Sequence, residues 1–464
     1  MSSRIRQSPL SAGAAPEHRC LPDCSKGSEL MSADITPPTH ALRSPRNASR
    51  GYVLGLLTLV YTFNHIDRQI LLILIEPIKA DLDISDGRIG LLTGFVFAAF
   101  YATFGIPIAM WADRGNRKNI LAIALAVWSG MTALSGIAQN YWQLLIARMG
   151  VGVGEAGGTP PATSIISDLY APKERAFALG IYTAGIGLGV LAGFAIGGYV
   201  YKYFGWRTAF FVAGIPGLIL SAIVWLTIRE PKRGAIEQRS DDGEASSLGE
   251  TIRFIGGQTS FLWMLAGCCM ICISANAFLA WTPSHLQRTY HVGPSEIAIP
   301  LGLLIGGVGS VGAIALGRVC DRLSANNLAW RPWMIAVCAA LALPFAWMFL
   351  QADTINMAYA WNVVPAFIGL IYASIAYTAS QELVGLRMRA FASAFMLFCL
   401  TFIGIGGGPS IVGYLSEYFA AQGNETPLKS ALELMLGFNA LSVVFLFMAG
   451  FTYARDAKRA AEMV

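Results

Sequence analysis

Four charged residues stand inside stretches that are otherwise almost wholly apolar: Asp67 and Arg68 in one, Arg148 and Glu155 in another. On helices, Arg148, Gly152 and Glu155 fall at i, i+4 and i+7 and share a face, while Asn64 and Arg68 share another at i, i+4. Gly152 leaves room between its charged neighbours for a partner helix or a ligand. A carboxyl desolvated inside a helix bundle favours its neutral form, and one beside a guanidinium favours its anion. Alternation between those surroundings binds and releases a proton, so Glu155, with Asp67, is the candidate for proton coupling. Arginine does not deprotonate. Arg68 and Arg148 are therefore candidates to hold an anionic group or the deprotonated acid. Glu155 and a substrate anion taking turns with Arg68 would couple the two. The competing reading is a permanent ion pair that fixes helix packing.

The elements that carry these charges are long and apolar. A membrane-spanning helix needs about 20 apolar residues. The sequence predicts spans at 52–76, 88–111, 119–138, 142–167, 175–203 and 207–228, then at 260–284, 296–318, 331–350, 357–382, 387–418 and 430–454. A charge at mid-span costs about 2.5–3.5 kcal/mol on insertion scales. Four unpaired charges would cost on the order of 10 kcal/mol, comparable to a whole domain's stability. They must pair, be neutralised, or line a wet cavity.

Composition agrees. The 464 residues are 55% hydrophobic and 13% charged, about half the charge of a soluble protein at roughly 25%. The net charge of +5 is no sign of nucleic-acid binding, because the basic residues sit in short loops. With both termini inside, the internal loops hold Arg114, Arg117, Lys118, Lys173, Arg175, Arg229, Lys232, Arg233, Arg239, Arg253, Arg318, Arg322, Arg331, Arg387 and Arg389, and the tail holds Arg455, Lys458 and Arg459. The other side holds only Lys79, Arg88, Lys202, Arg207, Arg288 and Lys429, as the positive-inside rule requires. The predicted organisation is a disordered cytoplasmic tail over 1–50, a six-helix bundle over 51–228, a cytoplasmic linker over 229–258, a second bundle over 259–454 and a tail over 455–464. The first tail is polar, lacks the apolar core of a secretory signal, and contains Met31 as an alternative start. Most of the eight cysteines, Cys268, Cys269 and Cys272 among them, sit in apolar runs and read as packing residues. No metal site is expected.

The two halves echo each other. The loop after the second span runs Ala109 through Asp113-Arg114-Gly115-Asn116-Arg117-Lys118, and that after the eighth runs Gly317 through Asp321-Arg322. Internal repeats of this kind build many transporters. An acid and base at these span ends can join neighbouring helices in one state and part in another, so Asp113, Arg114, Asp321 and Arg322 are candidate cytoplasmic gate residues. These loops, and Arg148-x-x-x-Gly152-x-Gly154 in the fourth span, resemble the major facilitator superfamily; Ala109 departs from its usual glycine. Asn64-His65-Ile66-Asp67-Arg68, Gly152-Val153-Gly154-Glu155-Ala156 and Ala171-Pro172-Lys173-Glu174-Arg175 resemble its Spinster branch more closely. The resemblance covers about 52–454. It implies an all-α membrane fold of about twelve transmembrane helices in two pseudo-symmetric halves. It also implies alternating access, proton-linked movement of a lysolipid- or sphingolipid-like amphiphile, and a monomer.

Tyr182, Trp281, Tyr372 and Tyr377, with Asn64, are candidates to line the amphiphile cavity. His65 reads as a satisfied bundle histidine, and His285 and His291 as loop residues near the outer surface. Gly185, Gly189, Gly193 and Gly197 form a stripe that lets two helices approach closely, and Gly404 to Gly408 with Pro409 make a breakable stretch. No phosphate-binding Gly-x-x-x-x-Gly-Lys-Ser/Thr loop is present, so the expected energy source is a proton gradient rather than ATP. No His-Glu-x-x-His or Gly-x-Ser-x-Gly pattern suggests an enzyme, and no cofactor is expected. The expectation is a multi-pass protein of a bacterial-type inner membrane, with protons, membrane lipid and an amphipathic substrate as partners. Transport of a small organic anion or a hydrophobic drug is the alternative.

Overall fold

The computed structural model describes residues 49–233, 248–385 and 388–462. The predicted tail before residue 49 with Met31, the middle of the linker with Arg239, and Arg387 lie outside the described residues. The described residues are helical apart from short turns and loops, with no strand among them. The first half comprises α1 (Arg50–Ile73), α2 (Ile75–Leu82), α3 (Asp86–Thr93), α4 (Phe95–Arg114), α5 (Arg117–Ser135), α6 (Tyr141–Ala156), α7 (Thr159–Leu169) and α8 (Pro172–Thr227). A short α9 (Leu248–Gly256) occupies part of the predicted linker. The second half comprises α10 (Thr259–Tyr290), α11 (Pro294–Gly302), α12 (Gly309–Asn326), α13 (Trp330–Leu350), α14 (Ile355–Ile368), α15 (Ile371–Glu382), α16 (Arg389–Cys399), α17 (Gly406–Ala421) and α18 (Pro427–Ala461).

These helices stack into twelve crossings. Nine helical stretches among the described residues are long and apolar enough to span a membrane. One is α8, whose 56 residues turn at Gly205, where φ is +80°, and so make two crossings. Glycine holds that conformation without the penalty a Cβ imposes. The remaining two crossings are α1 and the α6–α7 rod. The first is made less apolar by Asn64, His65, Asp67 and Arg68, and the second is interrupted at Gly157 and Gly158. The candidate spans fall in the apolar stretches that the sequence marks. α18 runs unbroken to Ala461, so Arg455, Lys458 and Arg459 form its last turns rather than a separate tail.

Glycines set how closely helices meet. The stripe on α8 packs along α1: Gly185 faces Thr58 and Thr62, and Gly193 faces Ile66 and Gln69. Between the halves, a Cβ on Gly94 would lie 2.7 Å from the Gly406 carbonyl, so no larger residue fits there. π-helical turns interrupt two crossings of the second half, at Leu303–Val308 and Leu400–Ile405. The second contains Gly404, in the stretch expected to break. Such turns concentrate at functional sites, and Ile305, Gly306 and Ile405 from these two line the central cavity.

The two ends of the bundle differ. Every hydrogen bond between the halves among the described residues lies toward the end away from α9. There Arg288 of α10 grips Asp86 at 2.7 and 2.8 Å and Glu76 at 2.8 and 3.0 Å. Lys79 also pairs with Asp86, Ser416 donates to it at 2.7 Å, and Glu417 accepts from the Gly87 N–H at 2.8 Å.

Candidate functional site

Between the halves is a cavity of about 350 Å³. Its lining is mostly apolar, from Leu71, Leu72, Phe97, Phe278, Ile305, Phe349 and Ile405, with Arg68, Arg148, Gln69 and His65 on the first half's side. α1 and α6 bring the four intramembrane charges together. Arg68 grips one oxygen of Glu155, with Nη2 at 2.5 Å and Nε at 2.7 Å. The Glu155 side chain is fully buried, while Arg68 is 24% exposed toward the cavity. The other Glu155 oxygen has no partner.

Asp67 and Arg148 are less satisfied. Asp67 is buried and accepts one hydrogen bond, from the Thr132 hydroxyl at 3.1 Å; its second oxygen has none. Arg148 is 2% exposed, lines the cavity, and leaves Nε and Nη1 without hydrogen bonds. Its support is the face of Phe97, at 5.7 Å, which Arg68 shares at 4.6 Å. A buried guanidinium short of acceptors is costly, and an anion in the cavity would relieve that cost. With both carboxylates ionised the four charges sum to zero. Each proton taken up adds a positive charge and makes room for one anion.

Gly152 backs this arrangement as expected: a Cβ there would lie 2.9 Å from the Phe97 carbonyl, so α4 closes on α6 and sets Phe97 beneath both guanidinium groups.

Of the predicted cavity residues, Tyr372 lines it. The others are elsewhere. Asn64 is buried within the first half. Tyr182 is stacked on Tyr61, with centroids 4.4 Å apart. Trp281 is fully buried and donates to the Pro409 carbonyl at 2.9 Å. Tyr377, on α15, is half exposed and does not line the cavity. Aromatic type alone does not separate a packing ring from a lining one. His285 corrects a further expectation: it is buried in α10 against Phe349 rather than in a loop. His291 ends that helix, exposed, at φ +54°. The cysteines from Cys268 onward are free and buried.

At the end nearer α9, Asp113, Arg114 and Arg322 are exposed and make no ion pair among the described residues. Asp321 pairs with Arg331 at 2.8 Å, inside its own half. The ion-pair centres at this end are arginines that the sequence marked only for orientation. Arg117 binds Asp168 and, at 2.7 Å, Glu230; Arg331 binds Asp321 and, at 3.0 Å, Glu382. They occupy equivalent places, the first turns of α5 and α13. Their position just after the repeated Asp-Arg loops was the available signal. The cluster of Glu76, Asp86, Arg288 and Glu417 at the sealed end had none, because its members are far apart in sequence.

Comparison with known proteins agrees with this architecture. The Major Facilitator Superfamily profile matches residues 57–409. An MFS-type efflux pump of Mycolicibacterium smegmatis is 31% identical over 404 residues, covering 87% of this chain and 93% of the relative. Protein spinster homolog 1 of Bos taurus is 26% identical over 430 residues, covering 87% and 80%. A crystal structure of a bacterial homolog to the human lysosomal transporter Spinster, inward-facing and unoccupied, superimposes with a TM-score of 0.76 at 31% identity, covering 90% of this chain and 99% of the other.

Proposed function

Because this chain belongs to the major facilitator superfamily, close to its Spinster branch, and so works by alternating access, we propose that it carries an anionic amphiphile of lysolipid or sphingolipid type, coupled to protons. One observation carries the reading: Arg148 is buried at the wall of an apolar cavity with two unpartnered nitrogens, beside an Arg68–Glu155 pair that a proton would break. The apolar lining suits a chain, and the guanidinium wall suits a phosphate or carboxylate headgroup. The Spinster relatives support the lipid-like class.

The coupling follows from charge. A proton on Glu155 cancels its hold on Arg68, and Arg68 then turns to the substrate anion. Proton and anion therefore favour each other's binding, and by linkage the effect is reciprocal. With the termini in the cytoplasm of a bacterial inner membrane, the Arg288 clamp closes the outer end. The Asp113 and Asp321 loops then lie at the inner end, with no ion pair joining them among the described residues. Asp113, Arg114, Asp321 and Arg322 would meet across the halves in the opposite state.

The efflux-pump relative supports a second reading, extrusion of a hydrophobic drug. Thermal unfolding separates the two, because a ligand that binds only the folded state raises its melting temperature. Stabilisation by a single-chain lysophospholipid, and not by hydrophobic cations or sugar acids, supports the amphiphile. Stabilisation by the hydrophobic cations alone would refute it.

A further inference from the structure

The second half's side of the cavity carries neutral polar groups where the first half carries guanidinium groups. Asn276 of α10 donates to the Cys272 carbonyl at 2.9 Å, and its carbonyl oxygen has no partner among the described residues. Asn362 of α14 lines the cavity with no side-chain hydrogen bond among the described residues. The Tyr372 hydroxyl of α15 donates to the Cys272 sulfur at 3.3 Å, a weak acceptor, and lies beside the Asn276 amide. An amide facing an apolar space without a partner costs free energy that a hydrophobic residue there would not. Asn276, Asn362 and Tyr372, three polar groups from three helices, line the same cavity as Arg148 with hydrogen-bonding capacity to spare. Being uncharged, they do not compete with the guanidinium wall for an anion. They can accept from a hydroxyl and donate to a carbonyl.

We propose that Asn276, Asn362 and Tyr372 form a second, uncharged subsite that takes a hydroxyl or carbonyl group of the same ligand whose anionic end lies at Arg148. The subsite selects among anionic amphiphiles, and it rests on the anionic-substrate reading above. A site built to hydrogen-bond a hydroxyl discriminates against a ligand that lacks it, because its own polar groups are then left unpaired.

The test uses the purified full chain and two probes of one chain length, dodecyl phosphate and 2-hydroxydodecyl phosphate, with affinities from equilibrium binding. The native protein is expected to bind the hydroxylated probe about tenfold more tightly. Asn362→Val and Asn276→Val should each reduce that preference to about twofold or less while keeping their affinity for dodecyl phosphate. Asn362→Val removes no hydrogen bond seen in the fold, so its melting temperature should match the native one. If the native protein binds both probes equally, or the variants keep the preference, the subsite is refuted, while the anionic reading stands provided Arg148→Gln abolishes dodecyl phosphate binding. If neither probe binds, the anionic amphiphile falls and the subsite falls with it.

Discussion

Replacing Arg288 with glutamine should loosen the sealed end. The guanidinium makes four hydrogen bonds across the halves, two to Asp86 and two to Glu76. A hydrogen bond to a charged group contributes roughly 1.5–3 kcal/mol. Arg288 is 29% exposed and Glu76 24%, so solvent screens part of that. Lys79 and Ser416 also remain on Asp86 after the change. A net loss of about 3 kcal/mol is a fair estimate, which shifts the ratio of sealed to open forms on the order of 100-fold. Spin labels at Lys202→Cys and Gln422→Cys, both exposed toward that end on opposite halves, read the change by double electron–electron resonance. The native protein should give one dominant short distance, and Arg288→Gln should add or favour a longer one. A distance distribution unchanged by Arg288→Gln would refute the assignment of this cluster as the clamp.

Three further outcomes follow from the site. Glu155→Gln should bind the anion more tightly than the native protein, because a neutral amide frees Arg68 from its ion pair, measured by titration calorimetry. Arg148→Met should lower anion affinity by at least tenfold, yet leave the melting temperature unchanged or higher, since it removes two buried unpartnered nitrogens. Gly94→Ala should lower the melting temperature at a cost of about 1–3 kcal/mol, because its Cβ meets the Gly406 backbone; the same change at Gly105, where nothing lies within 4 Å, should not.

The architecture was legible because lipid imposes a simple rule on sequence: long apolar helices with basic loops on one side. Twelve crossings and the repeated Asp-Arg loops follow from that rule. Even α1, too polar to stand out by hydropathy alone, was marked by the charges within it. The approach of Arg68 to Glu155 was legible for the same reason, since two opposite charges buried in one bundle need each other. What the sequence did not carry was which side of a helix faces the cavity. Trp281 and Tyr372 are both aromatic and intramembrane, yet one fills the core and the other lines the cavity. Asn276 and Asn362 passed unnoticed because single amides carry no charge penalty to flag them. The Arg288 cluster was hidden because its parts come together only when α2, α3, α10 and α17 pack.

Uptake of a lysosphingolipid into proteoliposomes under an imposed pH gradient tests the central claim most directly, with the native protein set beside Glu155→Gln and Arg68→Ala. The account predicts that the native protein moves the lipid only when the gradient is present, and that neither variant couples the two. Equal lipid movement without a gradient, or full gradient-driven transport by Glu155→Gln, would contradict it.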